Sequence, residues 1–358
     1  MDNTVVAFTI FIVFIVNLLI ISGNLAFVLG NDARIVVNNM NYTYSELIPQ
    51  VITTGLLRIG GEGIETINDV DVDIAIMDVG IAPHRDLNLF HGFNAVNPGA
   101  NYSVQCKHGT HVAGIAAAKN DEGGIVGTAP GARIWDIRIS ECDPTTGEPT
   151  QVAEYSLLNG LDYVLDHSDE IDVLNISYNE ECPIQCDAQL YQDLIDDIVE
   201  SGIVVVASAG NNHAVADEYV PPRLANVIPV SAISDSDGKC GGLGQPTSQG
   251  GDDTLASESN WGEGVDIAAP GIEILSTIPN DMYGTMSGTS MAAPYVSGTA
   301  ALIIASNPNI EPDVVRNMIL NAGSNPQTEC DGDGHGYFDD FRDDLHEPLL
   351  YIKDLIPN

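Results

Sequence analysis

The chain has 358 residues, with 12 Lys+Arg against 51 Asp+Glu and a formal charge of −39. That length holds one large domain or two ordinary ones with a full core, and the charge excludes nucleic acid as a natural partner. The acidity fits a salt-rich medium, cation binding or plain solubility without choosing among them. Six cysteines (Cys106, Cys142, Cys182, Cys186, Cys240 and Cys330) form an even set with no CxxC metal spacing, which points to disulfides made outside the cytosol.

Asn3–Gly30 carries no charged residue, and Val5–Ile21 is almost wholly apolar. The run is long enough to span a bilayer, and it equally suits an export signal ending near Ala26 or Gly30. Asp2 and the lack of Lys or Arg before the run leave its orientation open. Either reading implies export, so the protein is expected to be secreted, or anchored through residues 5–29 and facing outside the cytoplasm. Residues 1–30 are thus leader or anchor, and 31–49 a polar spacer with a sequon at Asn41. Residues 50–325 form the main domain, and 326–358 an extension packed on it or trailing from it.

In chain order, Val72–Met77 reads as a strand ending at Asp78, and His108 opens a helix of small residues through Ala118. Ala132–Ile139 returns as a strand, followed by a helix at Val152–Leu165 and strands at Val173–Ile176 and Ile203–Ala207 flanking a helix at Gln189–Glu200. Val227–Ala232 and Ile274–Thr277 read as further strands, and helices follow from Ser290 and over Pro312–Asn321. Short apolar strands alternating with helices predict a mainly parallel sheet covered on both faces. Function in such sheets gathers beyond the carboxyl ends of the strands, where Asp78 and Asn211 fall. Gly238–Gly251 is too glycine-rich for regular structure and reads as a surface loop insertion.

Four stretches carry chemistry: M-D-V-G at Asp78, H-G-T-H-V-A-G from His108, A-S-A-G-N ending at Asn211, and G-T-S-M-A-A-P around Ser290. A serine hydroxyl needs an imidazole base to attack, and the imidazole needs a carboxylate to fix its tautomer. An amide side chain can join a backbone N–H in holding an oxyanion. Singly, each has a plainer reading. Asp78 can cap a helix, Asn211 can take a left-handed turn, His108 and His111 can pair on a metal, and the Ser290 run can be a turn feeding a core helix.

Together, and in the order Asp, His, Ser, they resemble the subtilisin-like serine proteases from about Gln50 to about Ala322. T-T-G-L-L-R-I, G-I-V-G-T-A-P-G-A, V-L-N-I-S and V-D-I-A-A-P-G extend the resemblance beyond the chemistry. It implies a three-layer α/β/α sandwich as a single catalytic domain and an endopeptidase acting on polypeptides through an acyl-enzyme. Asp78 would orient, His108 act as base then acid, Ser290 attack and Asn211 hold the oxyanion. Ser177, Tyr178, Asn179 and Gly210 would meet substrate backbone, and His84 is structural.

The resemblance also implies a structural Ca²⁺ held by Gln50, Asp86 and Asp121, although the chemistry itself needs no cofactor. Asp331–Asp340 is either a second calcium loop or a closing turn. Disulfides Cys106–Cys142, Cys182–Cys186 and Cys240–Cys330 are expected, as is a monomer. Asp217–Pro222, with Glu218 and Tyr219, would lie near the P1 pocket. Two departures stand out: Val79 replaces a hydroxyl residue after the aspartate, and Asn179 stands where glycine is usual. The competing functions are a silent binding module on the same scaffold and a peptide ligase or cyclase.

Overall fold

Runs of Val, Ile and Ala build the central sheet of the computed structural model. It describes residues 16–21, 24–29 and 50–356, apart from 103–104, 122, 144–149, 151, 183–186, 341 and 343–345. β1 (Val16–Ile21) and β2 (Asn24–Leu29) pair antiparallel within the apolar N-terminal segment. Residues 1–15 of that segment and the 31–49 spacer lie outside the described residues. No helix among the described residues is long and apolar enough to cross a membrane.

The main domain opens with α1 (Thr54–Arg58), β3 (Asp73–Asp78), β4 (Leu89–Asn94), α2 (Lys107–Ala117), β5 (Arg133–Arg138) and α3 (Glu154–Asp166). It continues through β6 (Val173–Ile176), β7 (Glu180–Glu181), α4 (Gln189–Glu200), β8 (Val204–Ser208), β9 (Tyr219–Val220) and β10 (Val227–Ser234). β11 (Thr254–Leu255), β12 (Ile267–Pro270), β13 (Ile274–Ile278), β14 (Met282–Met286), α5 (Thr289–Ser306) and α6 (Pro312–Ala322) complete it.

The strands lie in the order β11-β10-β8-β6-β3-β5-β4, with β12 also on β10. Every pairing in this sheet is parallel except the short β10–β11 contact. Alternate side chains serve opposite faces. Ile74 and Ile76 pack with α2 and α5 in one core, and Ala75 and Met77 pack with α3 and α4 in the other. This is the expected three-layer sandwich.

Two elements depart from the sequence reading. The Ile274 strand forms, but it pairs antiparallel with β14 as a separate hairpin rather than entering the parallel sheet. β4 escapes the periodicity because, as an edge strand, it leaves Phe90 and His91 exposed. The glycine-rich insertion is irregular as expected, yet it is tied down: Gly242 and Gly244 N–H groups donate to Asp253 and Asp252, at 2.9 and 2.7 Å.

The C-terminal extension lies on the sheet. Ala268 N–H donates to Pro348 O at 2.8 Å and Leu350 N–H to Ala268 O at 2.9 Å, which covers the β12 edge. Cys106–Cys142 and Cys240–Cys330 are disulfides. Cys182 is also disulfide-bonded, and its expected partner Cys186 lies outside the described residues.

Candidate active site

Asp78 is the last residue of β3, and the buried strand hands its carboxylate to the sheet's carboxyl rim. His108 sits in the first turn of α2, which packs over that rim. Its Nδ1 lies 2.9 and 2.8 Å from the two Asp78 oxygens, and both residues are buried. This contact puts the ring proton on Nδ1 and makes Nε2 the basic nitrogen. Val79 cannot offer a hydroxyl, but its backbone N–H donates to Asp78 Oδ1 at 2.7 Å.

Beneath this turn lies Asp136 on β5, a carboxyl the sequence reading did not single out. It accepts the Ile81 N–H at 3.0 Å, which fixes the loop leaving Asp78. Burial pushes Asp136 well above the ordinary carboxylate range, and the charge of Asp78 pushes the same way. A charged residue type inside the apolar run I-W-D-I was the available signal.

Ser290 is the second residue of α5, where unpaired N–H groups and the helix dipole favour negative charge. Its backbone is fixed by a device that depends on Pro294. Proline has no N–H, so the Ser290 carbonyl four residues earlier lacks its helix partner. Ser177 Oγ fills the gap, donating to Ser290 O at 3.2 Å, and Ser290 Oγ donates back to Ser177 O at 3.4 Å. The end of β6 is thereby clamped to the start of α5.

Asn211 follows β8 and is exposed. Its Oδ1 accepts from Thr289 N at 2.9 Å and from Thr289 Oγ1 at 3.2 Å, and Thr289 Oγ1 in turn accepts from Gly210 N at 3.1 Å. With the oxygen so occupied, the amide presents Nδ2 as its outward donor. Thr289 is therefore a positioning residue that sequence reasoning missed, although it stands inside the G-T-S motif. Gly288 has φ +143°, and a Cβ there would lie 3.3 Å from the Asn211 amide.

Tyr178 and Asn179 follow Ser177 toward β7, which pairs antiparallel with β9. Glu181 stands opposite Tyr219, and Tyr178 Oη donates to Glu180 at 3.2 Å. A Cβ on Gly210 would lie 3.0 Å from Asn179 Oδ1. Of the residues expected to meet substrate, Ser177 thus borders Ser290, and Gly210 borders Asn179.

His111 is not a metal partner of His108. It is buried in α2, and its Nε2 contacts the Ile274 and Gly284 carbonyls at 2.8 and 3.0 Å, which pins the β13–β14 hairpin. Burial lowers it to about 3. His84 is structural as expected, with Nε2 against Met282 O and Nδ1 accepting from Asp86 N, both at 3.1 Å.

Gln50, Asp86 and Asp121 come together around the 119–125 loop. In the amide orientation that satisfies both ends, Gln50 donates to Asp121 O at 2.9 Å and accepts from Asp121 N at 3.0 Å. Asp86 is buried, which raises it to about 6, while Tyr283 bonds it and the charge of Asp121 works against ionisation. A buried carboxylate beside a second one, with amide and carbonyl oxygens around it, fits a hard cation such as Ca²⁺. The 331–340 loop does not share that character. Its carbonyls at Gly334, Gly336 and Tyr337 accept from the buried Arg58 guanidinium, at 2.7, 3.1 and 3.4 Å.

A three-layer α/β sandwich with a carboxylate–imidazole pair and a helix-start serine at its strand ends defines a class of serine hydrolases. The subtilase family profile matches residues 69–336. Subtilisin BL of Lederbergia lenta is 31% identical over 253 residues, covering 71% of this chain and 83% of that protein. Subtilisin E of Bacillus subtilis is 33% identical over 255 residues, covering 70% of this chain and 59% of that protein. Among solved structures, a cold-adapted subtilisin-like serine proteinase matches with TM-score 0.62 and 25% identity, over 78% of this chain and 88% of that one. A Pseudoalteromonas arctica protease shares the fold, with TM-score 0.62 and 22% identity, over 87% of this chain and 95% of that one. The chain belongs to the subtilase family and is a serine endopeptidase, with polypeptides as its substrates.

Proposed function

We propose that this is an exported endopeptidase working through an acyl-enzyme. Asp78 holds His108 in the tautomer whose Nε2 takes the Ser290 proton. The freed oxygen attacks the scissile carbonyl, and the Ser290 N–H and Asn211 Nδ2 hold the oxyanion. His108 then protonates the leaving amine, and water attacks the acyl-enzyme by the same route. A substrate strand pairs with Ser177, Tyr178, Asn179 and Gly210 through main-chain hydrogen bonds. The observation that carries this reading is the two-oxygen contact of Asp78 with His108 Nδ1, at 2.9 and 2.8 Å.

Ca²⁺ held by Gln50, Asp86 and Asp121 would neutralise the buried Asp86 carboxylate and brace the 119–125 loop; it takes no part in the chemistry. Export is supported by the apolar run Val5–Ile21 and the cysteine usage, and the leader is either cleaved or kept as an anchor. The protein acts as a monomer.

The test is labelling by a fluorophosphonate together with casein cleavage. Both should be present in the parent and absent in Ser290→Ala. Products must gain the mass of one water, because ligation or cyclisation would not add it. A folded parent that neither labels nor cleaves would leave the binding-module reading standing instead.

A further inference from the structure

We propose that Asp235, Asp237 and Asp252 form a second hard-cation site, for Ca²⁺, distinct from the Gln50–Asp86–Asp121 cluster. One carboxylate oxygen from each lies within 4.8 Å of the others, a spacing that a single ion can bridge. Asp235 and Asp252 are buried and Asp237 is partly so.

An acidic cluster alone would not assign a ligand. The further observation is Asp235 Oδ2, which is fully buried and has no hydrogen-bond partner. Its sister oxygen is already engaged by Gly238 N–H at 2.9 Å. The one cation in range, Arg58, has its Nε 3.7 Å away, and that N–H is committed to Asp253 Oδ1 at 2.7 Å. The other Arg58 donors serve the carbonyls of the 334–337 loop.

The charge count agrees. Asp235, Asp252 and Asp253 are buried around one buried guanidinium, and Asp237 adds a fourth carboxylate. Ionising all four would put more negative charge here than one guanidinium balances, and the buried members are poorly screened by water. A divalent ion between Asp235, Asp237 and Asp252 would balance that charge and give the under-satisfied Asp235 carboxylate a partner. The ligand atoms are all carboxylate oxygens, which selects a hard ion over zinc or copper.

The place in the fold gives the ion a purpose. Here the end of β10, the glycine-rich insertion, α1 through Arg58 and the C-terminal loop through Cys240–Cys330 converge. An ion at this point would fasten the insertion to the body of the domain beside the disulfide.

The experiment uses full-length protein in the Ser290→Ala background, so that no self-cleavage intrudes. Calcium chloride is titrated calorimetrically into the parent, Asp237→Asn and Asp121→Asn, and Tm is read with calcium and with EDTA. Asp237 is the least buried of the three ligands, so its neutral variant should keep the fold. Its removal should weaken one binding event by about tenfold or more and shrink the calcium-dependent rise in Tm. The event lost in Asp121→Asn should remain in Asp237→Asn. Calcium titrations that are the same in Asp237→Asn and the parent would overturn the proposal. So would a calcium response wholly abolished by Asp121→Asn alone.

Discussion

Gly109→Ala tests whether catalysis depends on how closely α2 seats on the Asp78 turn. Gly109 directly follows His108, and a Cβ there would lie 2.6 Å from the Gly80 carbonyl and 3.2 Å from Asp78 Oδ1. Ordinary contact begins at 3.4 Å, so backbone must part from backbone by about 0.8 Å. Taken along the His108–Asp78 contact of 2.8 Å, that opens the pair to about 3.6 Å, beyond a real hydrogen bond. Overpacking of this kind costs about 1–3 kcal/mol of stability, and a misplacement near 1 Å costs about 10²-fold in rate. The substrate-binding edge at 177–179 is not displaced, so kcat should fall far more than KM rises. The assay is steady-state cleavage of a chromogenic peptide, with Tm measured alongside. A variant with parental kcat and parental Tm would show that the helix has slack and that this reasoning is wrong.

Asp78→Asn should lower kcat by about 10⁴-fold, the scale seen when a triad carboxylate becomes an amide; a loss under tenfold would mean that His108 is oriented by something else. Asn211→Ala should cost about 10²–10³ in kcat, as loss of one oxyanion donor does in a subtilisin, and a change confined to KM would contradict the role given to Nδ2. Arg58→Met should destabilise the fold by about 3–5 kcal/mol in urea denaturation, because buried carboxylates lose their cation; a change near zero would refute that view of Arg58. His111 is held neutral, its folded value lowered by burial to about 3 against an ordinary 6.5. Its contribution is therefore intact above about pH 6.5 and is lost as pH falls toward 3, on the order of 5 kcal/mol in all. Urea unfolding of the Ser290→Ala protein from pH 7 to 4, with and without His111→Asn, should show a flatter acid slope in the variant. Parallel slopes would rule the histidine out as the source.

The residues proposed for catalysis could be picked out because each sits in a run whose composition dictates its backbone shape, with a strand end at Asp78, a helix start at Ser290 and a turn at Asn211. What the chain alone could not disclose was which polar group answers which. The Ser177–Ser290 clamp follows from the missing N–H of Pro294, but only the fold reveals that the end of β6 is the neighbour that fills it. Thr289 looks like one more small residue until Asn211 is seen to hang on it. Ile274–Ile278 has the composition of any apolar strand, and nothing local says that its partner is Met282–Met286 rather than the parallel sheet. Nothing local in T-T-G-L-L-R-I says that Arg58 is wholly buried and serves Asp253 and the C-terminal loop together.

The small residues of α2 and α5 let these helices and the β13–β14 hairpin approach one another closely. A Cβ on Gly298 of α5 would lie 2.9 Å from Ala116 O of α2, and one on Gly114 of α2 would lie 3.0 Å from the backbone Thr277 N. The helix bearing His108 and the helix bearing Ser290 therefore meet almost backbone to backbone, and the hairpin beside them is just as close. Contacts between backbones are stiffer than contacts between rotatable side chains, since no rotamer can yield to absorb a shift. The separation of His108 and Ser290 is thus set by the main chain of two buried helices rather than by the loops around the cleft. The glycine and alanine content of both helices therefore bears on the proposed chemistry as directly as the polar residues do.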